Sequence, residues 1–181
     1  GHGLPVMVWL YGGAFQTGST CEKEFNGEQL ARQGVVVVSI AYRLNVFGFF
    51  AHAMLEKEAV DGRPCANFGF LDQRMGIQWV KDNIALFGGD PANITVFGQS
   101  AGAASALAQS VSPMNDGLFQ RVIMQSGGGT GLFNRHLWSL EDAQRNGARF
   151  LKYLEVESIA EARSVPATDL LEAAVTFPAC D

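Results

Sequence analysis

Four short runs of aliphatic and β-branched residues, separated by helical segments, constrain the fold of this chain more than any other feature. The runs are Val6 to Tyr11, Val35 to Tyr42, Ile94 to Gly98 and Arg121 to Gln125. Their apolar residues are nearly continuous instead of alternating with polar ones, which is typical of parallel strands covered on both faces. Since strands that alternate with helices form parallel sheets, the sequence predicts an α/β fold.

Helical segments lie between and after these runs. Asn26 to Gln33 predicts a short helix that ends at Gly34. Gly69 to Phe87 predicts a long helix with two apolar stripes and a narrow polar face, so we expect it to be mostly buried. The stripes consist of Leu71, Met75 and Trp79, and of Ile77, Val80, Ile84 and Phe87. Three further helices are expected after residue 130, because Ser139, Ser158 and Thr168 precede helical patterns, the first two with capping-box spacing.

Composition narrows the class of protein. Apolar residues make up 48% and charged residues 17% of the chain, which is enough for a sizeable core. The net charge of −5 argues against a nucleic-acid partner. No apolar run reaches the roughly 18 residues that a membrane span needs. The cysteines, Cys21, Cys65 and Cys180, lack metal-ligand spacing and leave the redox compartment open.

The pentapeptide Gly98-Gln99-Ser100-Ala101-Gly102 carries the clearest chemical signal. It follows a predicted strand and begins a helix of small residues, which is the context that a G-x-S-x-G nucleophile elbow requires. A sharp turn there holds the serine in a strained backbone conformation and lifts its hydroxyl above the sheet edge, while the helix N-terminus supplies positive potential. Ser100 is therefore the predicted catalytic nucleophile.

A second signal is Tyr11-Gly12-Gly13-Ala14-Phe15, at the end of the first strand. A serine that attacks an ester carbonyl needs fixed N–H groups to stabilise the oxyanion that forms, and glycines allow the backbone to turn its amides outward. By the logic of the elbow, the amide of Ala101 supplies one donor and this loop supplies the rest.

These two motifs belong to a larger set that resembles a known family. The set consists of Val8 to Phe15, Ala41 to Arg43, Asn67 to Gln73, Gln78 to Ile84, Phe87 to Pro91, Phe97 to Ala103 and Gln125 to Gly127. It is similar to the type B carboxylesterase/lipase family, which includes the cholinesterases. The resemblance implies an α/β-hydrolase fold, with a mostly parallel sheet and flanking helices, and ester hydrolysis through an acyl-enzyme.

The resemblance also implies roles for individual residues. The oxyanion donors would be the amides of Gly13, Ala14 and Ala101, and Ser126 aligns with a serine that the family buries near its active-site carboxylates. Two positions depart from the family pattern. Ala14 stands where many members have a third glycine, although its amide can still donate. Gln99 stands where the cholinesterases have glutamate, which weakens the case for a cationic choline ester as substrate.

The partners of the serine are not evident in the sequence. In such hydrolases the chain order is serine, acid, histidine, whereas His2 and His52 precede Ser100. His136 follows it, but no carboxylate lies on a plausible strand end between them, since Asp116 is in a loop. We interpret His136 as a surface residue. We therefore expect an internal segment of a longer esterase that lacks the triad acid and histidine and is inactive alone.

The predicted organisation is part of a single α/β-hydrolase domain over residues 1–181, with a core sheet segment over about 1–130 and cap-like helices over about 131–181. The predicted function is a serine carboxylic ester hydrolase that acts on a small-molecule ester without cofactor or metal. One alternative is a non-catalytic adhesion or scaffold protein like the neuroligins, which typically have lost the nucleophile. Another is a different α/β hydrolase, such as a lipase or amidase. The sequence leaves ester specificity, localisation and oligomeric state open.

Overall fold

A computed structural model describes residues 3–59, 65–128 and 137–178. The chain divides into two units, the first with the described residues of 3–42 and 70–128, and the second with those of 43–69 and 137–178. The expected boundary near residue 130, between a core sheet segment and cap-like helices, stays a prediction.

The first unit is built on a four-stranded parallel sheet. Its strands are β1 (Leu4–Leu10), β2 (Val36–Ser39), β3 (Gly89–Gln99) and β4 (Arg121–Gln125), in the spatial order β2-β1-β3-β4. Val6 of β1 pairs with Val36 on one side and with Ile94 on the other. The predicted parallel α/β sheet is confirmed, although β2 is shorter than expected and β3 begins earlier, at Gly89.

The helices have the following bounds within the described residues. They are α1 (Glu28–Ala31), α2 (Asn45–Phe49), α3 (Ala53–Glu58), α4 (Phe68–Asn83), α5 (Ala101–Val111), α6 (Leu140–Tyr153), α7 (Ile159–Ser164) and α8 (Ala167–Thr176), with 3₁₀ helices at Lys23–Phe25, Ile84–Phe87 and Pro113–Asn115. The long predicted helix is thus an α-helix continued by a 3₁₀ turn, which ends at Gly88 in the left-handed conformation.

The core of the first unit lies between the sheet and the helices α4 and α5. Alternate residues of β1 (Val6, Val8 and Leu10) are fully buried there, as the two-residue period of a strand requires. The helices contribute residues that include Ile77, Val80, Ile84 and Ala106. On the opposite face of β1, the Trp9 ring packs against Phe97, with 4.8 Å between the ring centroids. Helix α5 packs against β3, β4 and β1.

One expectation for α4 is wrong. The stripe that contains Met75 and Trp79 is not buried, since these side chains are 72% and 49% exposed, and Phe87 is 62% exposed. Only the second stripe, as far as Ile84, faces the sheet. The same buried side of α4 carries Gln73, which is fully buried and hydrogen-bonded. The pattern of apolar residues alone therefore did not identify Gln73 as a buried residue of α4.

The second unit combines α2 and α3 with α6, α7 and α8. The Phe50 and Phe150 rings pack edge to face, and Phe150 meets Phe177 in the same way. The predicted N-caps at Ser139 and Ser158 are confirmed, because both hydroxyls accept hydrogen bonds from backbone amides three residues later. Thr168 is not a cap: Pro166 is the N-cap, with φ −54°, and α8 begins at Ala167, two residues earlier than a cap at Thr168 would give.

Candidate active site

Ser100 occupies the single residue between the end of β3 and the start of α5. Its backbone has φ 56° and ψ −120°, a conformation that costs a non-glycine residue about 1–3 kcal/mol. Two hydrogen bonds fix this conformation: its N–H donates to the Gln125 carbonyl at 2.9 Å, and its carbonyl accepts from the Ala104 N–H at 3.0 Å. The side chain is half-buried and makes no capping hydrogen bond to its own helix. The hydroxyl is thus not used as a helix cap.

The glycines on both sides of Ser100 are required by close backbone contacts. A Cβ atom at Gly98 would lie 2.6 Å from the Leu10 carbonyl oxygen and would overlap the Gly102 carbonyl group. A Cβ atom at Gly102 would overlap the same Leu10 oxygen and lie 2.9 Å from the Tyr11 oxygen. The first turn of α5 therefore lies directly against the carboxyl end of β1.

The loop after β1 lies beside Ser100. A Cβ atom at Gly12 would be 3.3 Å from Ser100 Cβ and 2.8 Å from the Gln99 carbonyl oxygen. The loop then runs through left-handed conformations at Gly13 (φ 102°), Ala14 (φ 55°) and Phe15 (φ 62°). The Gly13 carbonyl accepts hydrogen bonds from the amides of Gln16 and Thr17. The structure thus places the glycine loop and the predicted nucleophile next to each other.

This arrangement collects partial positive charge around Ser100. The first four amides of an α-helix have no carbonyl partner within the helix, so the Ala101 N–H at the start of α5 is free of intrahelical bonding. The buried, eleven-residue α5 adds its dipole at the same end. Ala14 adopts the left-handed conformation although it is not glycine, so the missing third glycine does not prevent this loop shape. The start of α5 and the glycine loop thus both border Ser100.

Two tyrosines brace the base of the loop, and sequence reasoning did not identify this role for them. The Tyr11 and Tyr42 rings stack with 4.4 Å between centroids. The Tyr42 hydroxyl donates to the Tyr11 carbonyl at 2.6 Å, and the Tyr11 hydroxyl donates to the Tyr42 carbonyl at 3.0 Å. Burial is the main cause that raises the pKa of both phenols, so both hydroxyls stay protonated in the physiological range. The available signal was a tyrosine as the last residue of two predicted apolar runs, Val6 to Tyr11 and Val35 to Tyr42.

Other candidate residues lie as follows. Ser126 directly follows β4 and is exposed in this structure, and its expected place near the active-site carboxylates stays a prediction. Asp116 is exposed in a turn, as expected. His52 caps α3, where its Nδ1 accepts from the Met54 N–H, and burial lowers the pKa of its imidazole. His2 and His136 lie outside the described residues.

The described residues contain neither a cluster of metal-ligating side chains nor a membrane-spanning helix. No group of three or more His, Cys, Asp or Glu side chains there could hold a metal ion. No helix in those ranges combines the length and apolar character needed to traverse a bilayer.

Comparison with known proteins identifies the family. The model of the "Carboxylesterase family" matches residues 1–178. The chain is 43% identical over 174 residues to para-nitrobenzyl esterase of Bacillus subtilis (strain 168), which covers 94% of this chain and 33% of that protein. It is 43% identical over 145 residues to fumonisin B1 esterase of Sphingopyxis macrogoltabida, covering 80% of this chain and 26% of that protein.

A solved structure agrees with these relatives. The carboxylesterase EST55 of Geobacillus stearothermophilus superimposes with a TM-score of 0.84 at 41% identity, covering 98% of this chain and 38% of that one. The chain thus spans about a quarter to a third of the length of the curated relatives named here. The predicted α/β-hydrolase fold is confirmed as part of such a domain. The chain belongs to the carboxylesterase family.

Proposed function

We propose that this chain is the nucleophile-bearing segment of a serine carboxylic ester hydrolase. The observation that carries the proposal is the conformation of Ser100, held at φ 56° beside the loop that starts at Gly12. A non-glycine residue keeps such a strained backbone only where the surrounding structure enforces it, and strained positions of this kind cluster at functional sites. The esterase names of its relatives support the same chemistry.

In the proposed reaction, Ser100 Oγ attacks the carbonyl carbon of the ester while its proton passes to a histidine outside this sequence. The carbonyl oxygen becomes an oxyanion, which the amides of Gly13, Ala14 and Ala101 stabilise by hydrogen bonds. The C–O bond to the alcohol then breaks, and the histidine returns the proton to the leaving alkoxide. Water attacks the acyl-enzyme in the same way and releases the carboxylic acid and the free serine.

The residues that complete the proton transfer lie, by this proposal, in the remainder of the full-length protein. An acid would orient the histidine, and without both groups only a small residual rate would remain from the oxyanion hole and binding. The substrate is a small-molecule ester, and Gln99 places no negative charge beside Ser100 that would favour a cationic one.

The test is active-site labelling of the full-length protein with a fluorophosphonate, followed by peptide mass spectrometry. We expect the label on Ser100, and we expect Ser100→Ala to lose labelling and hydrolysis of a p-nitrophenyl ester by a factor of at least about 10⁴. Ser110→Ala is the matched control, because Ser110 lies on the same helix with its exposed hydroxyl bonded only to Leu107 O. A folded wild-type protein that fails to label would overturn the proposal and favour the adhesion or scaffold alternative.

A further inference from the structure

A chain of buried hydrogen bonds runs through the first unit and ends at the base of the Gly12 loop. Asn115 Nδ2 donates to Gln109 Oε1 at 2.7 Å, and Gln109 Nε2 donates to Gln73 Oε1 at 3.1 Å. Gln73 Nε2 donates to Ser105 Oγ at 2.9 Å. The chain continues with a hydrogen bond between Ser105 and the Tyr42 hydroxyl, which itself donates to the Tyr11 carbonyl at 2.6 Å.

The donor and the acceptor of each hydrogen bond in this chain are defined. Ser105 Oγ accepts from an amide, so its own proton is available to the Tyr42 oxygen, and the Tyr42 proton points to the Tyr11 carbonyl. Each hydroxyl therefore both accepts and donates, which polarises and strengthens the next bond in a low-dielectric interior. All of the side chains involved are at least nine-tenths buried. Water cannot easily replace any one of these bonds.

The last bond of the chain ends at the peptide unit that begins the glycine loop. The Tyr11 carbonyl and the Gly12 N–H belong to one planar peptide group, so a bond that fixes the carbonyl also fixes the direction of the amide. A Cβ atom at Gly102 would lie 2.9 Å from this same Tyr11 oxygen. The loop returns to this point, because a Cβ at Gly18 would lie 2.8 Å from the Gly12 oxygen.

Two members of the chain of hydrogen bonds lie on the helix that carries the nucleophile. Ser105 and Gln109 lie on consecutive turns of α5, about one and a half and two and a half turns after Ser100. The chain therefore ties the loop and the serine to one rigid body instead of leaving the loop to pack by itself. Its donors are uncharged groups, and burial keeps Tyr42 protonated, so this linkage holds throughout the pH range of an esterase assay.

We propose that Tyr42, oriented by Ser105, is a positioning residue that aims the oxyanion-binding loop at Ser100. This inference rests on the proposed function, since it assigns a role within the same site. In this role Tyr42 acts through the loop and not by touching Ser100 or the substrate. Its hydroxyl fixes the plane of the peptide group between Tyr11 and Gly12. The direction of the chain after this peptide determines where the amides of Gly13 and Ala14 point.

The test is Tyr42→Phe in the full-length protein, which removes one hydroxyl and keeps the ring that stacks on Tyr11. A displacement of about 1 Å can lower a rate about 100-fold, so we expect kcat to fall about 10- to 100-fold with KM changed less than about twofold. A trifluoromethyl ketone, which forms a tetrahedral adduct with the serine, should bind more weakly by the same factor as kcat falls. Tyr153→Phe, at an exposed hydroxyl of α6, should leave all three quantities unchanged.

A second pair of variants covers the case in which Tyr42→Phe does not fold. Ser105→Ala removes the donor to the Tyr42 hydroxyl, and Ser110→Ala makes the same change five residues later on the exposed side of α5. We expect Ser105→Ala to lower kcat about 3- to 10-fold, with ketone affinity following it and KM constant, and Ser110→Ala to match wild type.

The positioning role is overturned if folded Tyr42→Phe or Ser105→Ala keeps wild-type kcat and ketone affinity, or if only KM rises. That result remains distinct from failure of the proposed function. If Ser100→Ala is inactive and Tyr42→Phe is normal, the serine mechanism stands and the positioning role fails. If Ser100→Ala retains full hydrolysis, both fail.

Discussion

The contact between Gly102 and the end of β1 gives a prediction whose size follows from the structure. In Gly102→Ala, the new Cβ would overlap the Leu10 carbonyl oxygen, lie 2.8 Å from its carbon and lie 2.9 Å from the Tyr11 oxygen. Cβ atoms essentially never approach other atoms closer than 3.0 Å, so α5 and β1 must separate by about 1 Å. Both are backbones held by hydrogen bonds, and neither can rotate away as a side chain can.

Two opposing effects decide the cost in stability. Alanine is favoured over glycine in a helix by about 1 kcal/mol, whereas forcing extra atoms into a packed site costs about 1–3 kcal/mol or more. We expect the steric effect to dominate, and the free energy of unfolding to fall by about 2 kcal/mol. Since a misplacement of about 1 Å between Ser100 and the loop lowers reaction rates about 100-fold, kcat should fall by that order.

The assay compares denaturant unfolding and ester hydrolysis of full-length Gly102→Ala with those of Gly34→Ala. Gly34 has φ 85° and no atom within 4 Å of a new Cβ, so alanine there costs about 1–2 kcal/mol through backbone strain alone. The control therefore loses comparable stability but should keep wild-type kcat. If Gly102→Ala keeps kcat within a factor of about two, the close approach of β1 and α5 does not hold the site together.

Two further predictions concern charge. Burial lowers the pKa of His52, so its stabilising contribution is fully present above the unfolded pKa of about 6.5 and is lost as pH falls through the lower folded value. The control is His52→Asn, which keeps a capping oxygen. Between about pH 7.5 and about pH 5, the melting temperature of wild type should fall more than that of this variant. Equal falls would contradict the prediction. In Gln99→Glu, kcat/KM for a choline ester should rise about 2- to 5-fold relative to its uncharged 3,3-dimethylbutyl analogue, as expected for a partly solvated charge. An unchanged ratio in low salt would show that the residue does not face the alcohol group.

Much of the fold was predictable because continuous apolar runs have few alternatives. A run such as that in β1 can only be satisfied when both faces are covered, and the intervening helices make a parallel sheet the natural solution. Capping at Ser139 and Ser158 was equally local, because the spacing of serine and acid alone determines it. Met75 and Trp79 were misassigned because periodicity tells which residues share a side of α4, but not how many sides of that helix face the sheet.

The candidate site shows the same difference between features set by local sequence and features set by contacts between separate elements. Gly98, Ser100 and Gly102 were evident in the sequence, since a sharp strand-to-helix turn imposes its residue types within five positions. The buried chain from Gln109 to Tyr42 was not, because its members come from separate elements and each alone reads as an ordinary polar or aromatic residue. Gln73 shows what information was missing: a glutamine on the apolar side of a helix is costly unless it is hydrogen-bonded, so its partners must lie across the core. A polar residue on an apolar face therefore indicates which elements must stay in fixed relation for the site to exist, because its buried groups need partners there.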